Sequence, residues 1–206
     1  MAELRILRGI DAGPEHLSQA IEIDKLVYED ELQGVEELCL AWFRKNPSIY
    51  TFLLDDFTGE VIGYINTMPI KEQLCEDIVL GKIVDSYISE DDILVYEDNT
   101  NYSLYFCSIA VHPDYRGTQA FSMLYNAFMK ELLHLSERNI YITEVIADGV
   151  TARGARMCRL SGLEPVITTN HGSEIYVLPI VPYKFQALSY EGEKLKDVYV
   201  RRYNDE

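Results

Sequence analysis

Apolar residues follow two different periods along this chain. Runs rich in β-branched and aromatic residues predict strands, and apolar residues three or four positions apart predict helices. The predicted order is strand 4–10, helix 15–28, helix 35–45, strand 50–54, strand 61–68, strand 102–111, helix 120–135, strand 139–147, helix 151–161, and strands 163–169 and 174–180. This order predicts an α/β (α+β) fold whose mixed, mostly antiparallel central sheet carries helices on both faces.

Two segments are less regular than the rest. Residues 69–100 are acidic, with a helical stretch at 70–81, and they form either a functional lid or a solvated packing insert. The tail, residues 181–206, contains four tyrosines and mixed charge. We therefore expect one domain over residues 1–180 with an insertion at about 69–100. The C-terminal extension would add a strand or dock on a neighbouring chain, which leaves a homodimer open.

Composition narrows the class of protein. With 206 residues, 48% of them hydrophobic, the chain is large enough for one globular domain with a full core. Its four cysteines lie far apart and form no Cys-x-x-Cys pair, which argues against a zinc or redox site, so no metal is predicted. No apolar run of membrane-spanning length and no leader-like segment is found, so we expect a soluble, cytoplasmic protein without a membrane partner.

The negative charge is concentrated in the first half of the chain. Residues 1–100 carry 7 basic and 22 acidic residues (net −15), and residues 101–206 carry 11 and 12 (net −1). Phosphate binding needs a basic face, so a nucleic-acid partner is not expected. An acidic surface attracts cationic ligands, although the same charge also serves solubility alone.

The segment Ile109–Phe121 has the features of an anion site. Its apolar start continues a predicted strand, and Pro113 ends that strand because proline has no N–H for the ladder. Arg116 and Gly117 follow, and then a helix begins. The first N–H groups of a helix are unpaired and its dipole favours negative charge there, and the guanidinium of Arg116 suits phosphate.

This segment resembles motif A of the GNAT superfamily of acyl-CoA N-acyltransferases. The matching residues are Val111, Pro113, Tyr115, Arg116 and Gly117. The resemblance extends over about residues 4–180 and implies that acetyl-CoA is the acyl donor.

The resemblance also implies which residues bind acetyl-CoA. Backbone groups of Ile109 and Val111 would pair with the pantetheine, and Thr151 stands where the family often has an asparagine that touches it. Arg116 would contact phosphate, or form a surface salt bridge. The pyrophosphate would lie on the amides of Gly117, Thr118, Gln119, Ala120 and Phe121. Gln119 and Phe121 replace small residues of the family pattern, which weakens the expected pyrophosphate binding.

Cys158 stands where the family often has the tyrosine that protonates the departing thiolate. Nearby Arg156 and Arg159 would lower its pKa and allow it to donate, with a water bridging the gap. The alternative is a small buried hydrophobic residue.

The general base is left open. Some relatives place a glutamate where this chain has Tyr105, and three other carboxylates are candidates by position alone: Glu97, Asp98 and Glu144. Histidine has a suitable pKa, but we expect His112 to lie in the turn and His171 to be exposed in the last hairpin loop.

These residues favour an acyl-CoA-dependent N-acyltransferase, with acetyl transferred to a primary amine of a small, cationic acceptor or a basic peptide. In the family the first half of the fold walls the acceptor side, so its net charge of −15 would select a cation. The alternative is a GNAT-fold protein that has lost catalysis and acts as a CoA sensor or interaction module.

Overall fold

The computed structural model describes residues 3–29, 33–83, 85–181 and 184–205. The strands are β1 (Leu4–Arg8), β2 (Tyr50–Asp55), β3 (Val61–Ile70), β4 (Asn101–Val111), β5 (Tyr141–Asp148), β6 (Glu164–Thr168) and β7 (Glu174–Pro179). The helices are α1 (Pro14–Val27), α2 (Glu36–Lys45), α3 (Glu72–Val79), α4 (Ala120–Glu137), α5 (Ala152–Leu160) and α6 (Tyr190–Asp205). Every strand and helix predicted before residue 181 is present, with ends shifted by a few residues.

The strands form one seven-stranded sheet in the order β1-β2-β3-β4-β5-β7-β6. Only β4 and β5 run parallel, because the long helix α4 crosses over between them; the other neighbours are antiparallel. The predicted fold class, a mixed and mostly antiparallel sheet with helices, is confirmed.

Helices cover both faces of the sheet. On one face, α1, α2 and α3 pack their apolar sides on β2, β3 and β4. On the other, α4 and α6 bury Phe128, Leu132, Leu195 and Tyr199 against β4 and β5. No helix in the described ranges is long and apolar enough to cross a membrane.

The tail differs from its prediction. Its described part forms α6, which packs on α4 of the same chain instead of adding a strand to the sheet. The Tyr199 hydroxyl accepts from the amide of Ile142 at 2.8 Å and donates to its carbonyl at 3.0 Å. Helix α6 could not be placed from sequence alone, because eight of its 16 residues are charged and its apolar positions are few. A homodimer stays a prediction.

The segment between β3 and β4 packs against α2. The indole N–H of Trp42 donates to the Ile88 carbonyl at 2.8 Å, and the Asn46 side chain donates to the Leu94 carbonyl at 2.7 Å. A short 3₁₀ turn, Asp85–Tyr87, lies between these anchor points and α3. The predicted domain limits, and the description of this segment as an insertion, stay predictions.

The parallel pair β4–β5 separates along its length. The register runs from Asn101 beside Tyr141 to Phe106 beside Ala147, and residues 107–111 have no partner on that side. On its other edge β4 stays paired with β3 as far as Val111. The sheet therefore opens into a V between the last five residues of β4 and the end of β5.

Candidate active site

A cavity of about 1290 Å³ opens at this V. Its wall includes parts of α1, α2, β4, α4 and α5, and the 3₁₀ turn Asp85–Tyr87. Ligand sites for small molecules usually enclose roughly 300–1,000 Å³. The space is therefore large enough for two small substrates that meet in the V.

The unpaired edge of β4 offers backbone groups to this cavity. The amide of His112 bonds to the Ile62 carbonyl on β3 at 2.8 Å. Because backbone direction alternates along a strand, Ile109 and Val111 turn their N–H and C=O groups into the V. The Tyr28 hydroxyl donates to the Ile109 carbonyl at 3.3 Å. The backbone groups of the two residues predicted to pair with pantetheine thus face the cavity. The Ile109 carbonyl already accepts a hydrogen bond from Tyr28.

The turn after β4 is held in place by a side-chain tether. The Tyr115 hydroxyl donates to Asp55 Oδ2 at 2.9 Å, which fixes the turn to the end of β2 and lowers the pKa of Asp55. Gly117 has φ of 77°, a conformation that favours glycine. Gln119, by contrast, has φ of −76°, so no glycine is required there.

Some of the backbone amides at the start of α4 already donate to protein groups, and the others are available to a ligand. The Thr118 amide bonds to the Tyr115 carbonyl at 3.4 Å, and the Ala120 amide bonds to Thr118 Oγ1 at 3.2 Å. In the described ranges, the amides of Gly117, Gln119 and Phe121 donate to no protein group. The ring of Phe121 stacks on Tyr125, at 6.4 Å between centroids, along the helix. Three of the five predicted amides are therefore available to an anion.

Three arginines without ion pairs in the described chain line the cavity, at the starts of α4 and α5: Arg116, Arg153 and Arg156. The salt bridge considered for Arg116 is not formed. Guanidinium groups beside free helix amides match the phosphates of a nucleotide-like ligand. These residues fit the polar end of acetyl-CoA.

Helix α5 places the next two predicted residues on the cavity wall. Thr151 caps the helix, since its Oγ1 accepts from the Gly154 amide at 3.0 Å. Cys158 is buried, and burial raises the pKa of its thiol to about 11 despite the charge of Arg159. This is the opposite of the lowering expected from the neighbouring arginines, so the raised pKa weighs against Cys158 as the acid for a thiolate.

The carboxylates considered for the base lie away from the cavity wall. Asp98 forms an ion pair with Arg138 at 2.8 Å, and Glu144 accepts from Ser103 at 2.7 Å. Glu97 is exposed. His171 and the buried Tyr105 do line the cavity. Position in the sequence was a poor guide, because Glu97 and Asp98 lie in the loop before β4 and Glu144 lies within the paired part of β5, outside the V.

A buried carboxylate that sequence reasoning missed, Asp24 of α1, faces the cavity instead. It is 6% exposed, and its two oxygens accept from the Tyr64 hydroxyl and from the Gly34 amide, the latter at 3.3 Å. The Ser108 hydroxyl in turn donates to the Tyr64 hydroxyl at 2.9 Å. Burial is the main cause that raises the pKa of Asp24 to about 6. The chain Ser108–Tyr64–Asp24 therefore leads from β4 to a carboxylate that is mostly ionised at neutral pH.

Two further carboxylates line the cavity, Asp85 and Asp148. Asp85 is open to the water of the cavity, yet the protein atoms around it raise its pKa. Burial also raises the pKa of Asp148, and the charge of Asp85 adds to this. The cavity is thus lined by carboxylates as well as by arginines.

The apolar pattern of α1 contained a clue to Asp24. Leu17, Ala20 and Ile21 form the buried face of the helix, and Asp24 continues that face at helical spacing. An acid on a buried helix face needs a partner or a function. Its partner, Tyr64, is distant in sequence, so only the folded chain identifies the pair.

Comparisons with known proteins indicate the family and the fold of this chain. The model of the acetyltransferase (GNAT) family matches residues 17–155. No curated protein matches the sequence.

Solved structures share the fold at low sequence identity. Ard1 from Thermoplasma volcanium is 14% identical, with a TM-score of 0.55 over 86% of this chain and 98% of that one. Mosquito arylalkylamine N-acetyltransferase like 5b is 14% identical, with a TM-score of 0.55 over 87% and 100%. Arabidopsis thaliana NAA60, in complex with acetyl-CoA, is 14% identical, with a TM-score of 0.52 over 87% and 99%. Since the family model covers more than half of the sequence, the chain belongs to the GNAT family of N-acetyltransferases.

Proposed function

We propose that this protein transfers the acetyl group of acetyl-CoA to a primary amine of a small, cationic acceptor. The observation that carries the proposal is the chain Ser108–Tyr64–Asp24, which ends in a buried carboxylate beside the open edge of β4. A hydrogen-bonded chain of this kind can accept the proton that an attacking amine loses.

The charged groups that line the cavity suit the two substrates. Arg116, Arg153 and Arg156, together with the free amides at the start of α4, would hold the phosphates of acetyl-CoA. The backbone of Ile109 and Val111 would hold its pantetheine in the V. Asp24 and the other carboxylates of the cavity wall would attract an ammonium group.

Asp24 is the proposed general base. The ammonium form of the acceptor first loses a proton to water and becomes the neutral amine. Its nitrogen then forms a C–N bond to the acetyl carbon as the C–S bond breaks. The second proton of the nitrogen passes through the Tyr64 hydroxyl to Asp24. Burial raises the pKa of Tyr64, so its hydroxyl stays protonated and can relay the proton. A base whose pKa is about 6 is ionised and ready near neutral pH.

No predicted residue is a strong candidate for the acid that would protonate the leaving thiolate. Cys158 remains a prediction for this role, with the raised pKa of its thiol against it. Water entering the open cavity is the simpler proton source, and CoA thiolate is stable enough to leave unprotonated near neutral pH.

A turnover assay tests the proposal directly. Purified protein is incubated with acetyl-CoA and a panel of primary amines, free CoA is followed with a thiol reagent, and the acetylated amine is identified by mass spectrometry. We expect steady release of CoA with cationic amines. Acetyl-CoA binding without turnover on any amine would instead support the alternative of a CoA sensor.

A further inference from the structure

Asp85 lines the cavity from the segment between β3 and β4. Its carboxylate lies 4.0 Å from the thiol of Cys107, at the point where β4 leaves β5. In the described part of the chain Asp85 has no ion pair, and neither do Asp24 and Asp148. A ligand with a single positive charge would leave some of this negative charge unbalanced.

A second observation at the cavity wall points to a ligand. Asn66 Oδ1 is a buried oxygen without a hydrogen-bond partner among the described residues, and its side chain is 2% exposed. The Tyr50 hydroxyl is equally buried and interacts with the Cys39 thiol. Both Tyr50 and Asn66 line the cavity. A buried polar atom without a partner is costly, so Asn66 Oδ1 suits a ligand that donates hydrogen bonds.

The strand register places these oxygens next to the proposed base. Tyr50 of β2 lies opposite Asn66 of β3, and Asn66 lies opposite Ser108 of β4. They form one row across the sheet face that carries Tyr64 and faces Asp24. Acceptor oxygens thus surround the position from which an amine would attack.

We propose that the acceptor is an aliphatic diamine or polyamine. One of its amino groups lies beside Asp24 for acylation, with an N–H group that donates to Asn66, and a second, protonated amino group binds Asp85. This inference rests on the proposed transfer of acetyl to an amine.

The chemistry of the wall favours such an acceptor over a peptide. The carboxylates of Asp24 and Asp85 accept hydrogen bonds and match the N–H donors at both ends of a diamine. The methylene chain between the amino groups would run along Tyr28 and Tyr105, whose rings line the cavity. A peptide would also bring carbonyl groups, and ionised carboxylates donate no hydrogen bond to them.

The test compares substrates that differ in one charge. 1,4-Diaminobutane, 4-aminobutan-1-ol and n-butylamine have the same carbon chain, and only the first carries a second ammonium group. kcat/KM is measured for each at physiological salt, where unspecific attraction to the acidic surface is screened. The variants are Asp85→Asn and, as matched control, Asp91→Asn, which changes an exposed carboxylate of the same segment outside the cavity.

We expect wild-type protein to prefer the diamine over both monoamines by roughly tenfold to a hundredfold, the ratio for one charge-assisted contact. Asp85→Asn should remove most of this preference through a higher KM for the diamine, and Asp91→Asn should keep it. Equal kcat/KM for the three amines, or a preference that survives in Asp85→Asn, would overturn the inference while leaving acetyl transfer intact. Failure of the proposed function is distinct, because then none of the amines is acetylated.

Calorimetry keeps the inference testable without turnover. With no acetyl-CoA present, we expect 1,4-diaminobutane to bind the wild-type protein more tightly than n-butylamine, and Asp85→Asn to lose that difference. A thermal melt of each variant shows that it is folded. Equal affinity of the two amines for folded wild-type protein would overturn the inference.

Discussion

Replacing Asp24 with asparagine should stabilise the protein at neutral pH, even though it removes the proposed base. Asp24 is buried, and its carboxylate loses more from desolvation than it gains from Tyr64 and Gly34, which is why its pKa lies above the ordinary value of 3.8. Asparagine has the same shape and no charge to desolvate. Proposed catalytic groups often carry such a cost in stability.

The magnitude follows from the pKa of the folded and unfolded carboxyl. A shift from 3.8 to about 6 corresponds to about 3 kcal/mol of unfolding free energy lost when Asp24 is ionised. Asparagine still accepts from the Tyr64 hydroxyl but gives up the bond from the Gly34 amide, which costs about 1 kcal/mol. We expect a net gain of about 2 kcal/mol, or about 4–8 °C in Tm for a chain of this size.

The sign of the effect depends on pH. Because the folded pKa is raised, the carboxyl favours the folded state when protonated, and this contribution is lost as pH rises from about 4 through about 6. Near pH 4 the variant should therefore be equal to or slightly less stable than wild type. Above about pH 7 it should be more stable by the full amount.

The assay is thermal denaturation of both proteins across this pH range, followed by circular dichroism. Asp91→Asn is the matched control, because Asp91 is an exposed carboxylate and its replacement should change Tm little at pH 7.5. The reasoning is refuted if Asp24→Asn is less stable than wild type at pH 7.5, or if the difference between them is the same at every pH.

Three further predictions concern the acetyl-CoA site. Arg116→Ala should weaken acetyl-CoA binding roughly tenfold to a hundredfold in calorimetry, since a charged hydrogen bond to phosphate is lost; an unchanged Kd would place the phosphates elsewhere. Tyr28→Phe should tighten acetyl-CoA binding by roughly twofold to tenfold, because it frees the Ile109 carbonyl; weaker binding would show that the Tyr28 hydroxyl helps to hold the ligand. Cys158→Ala should lower kcat by much less than the roughly hundredfold that removal of a general acid causes, since a thiol of pKa about 11 is a poor donor to a thiolate. A hundredfold loss would instead support Cys158 as the acid.

The fold was predictable because its evidence is local. Alternating and helical apolar patterns mark each element up to β7, and the turn with Pro113, Arg116 and Gly117 marks the strand-to-helix crossover. The tail was not predictable in this way. Helix α6 has few apolar residues, and its stability depends on packing against α4, a contact that no local pattern shows.

The candidate site was predictable only where its residues lie in one segment of the sequence. Ile109, Val111 and Arg116 belong to one continuous segment, so the sequence could predict that they lie together on the wall of one cavity. The proposed base could not be predicted, because Asp24, Tyr64 and Ser108 lie on three different elements and meet only in the folded chain. The pKa of Cys158 was also misjudged, since burial outweighs the charge of Arg159, which forms an ion pair with Glu174.

The pH dependence of kcat/KM for wild type and Asp24→Asn tests the central claim most directly. Wild-type kcat/KM should fall on the acid side with an apparent pKa of about 6, on top of the ionisation of the amine itself. In Asp24→Asn this decrease near pH 6 should disappear. kcat/KM should be lower by roughly a hundredfold to ten-thousandfold near neutral pH, with acetyl-CoA affinity retained. A folded variant that keeps both the wild-type rate and the decrease of kcat/KM near pH 6 would contradict the account of Asp24 as the base.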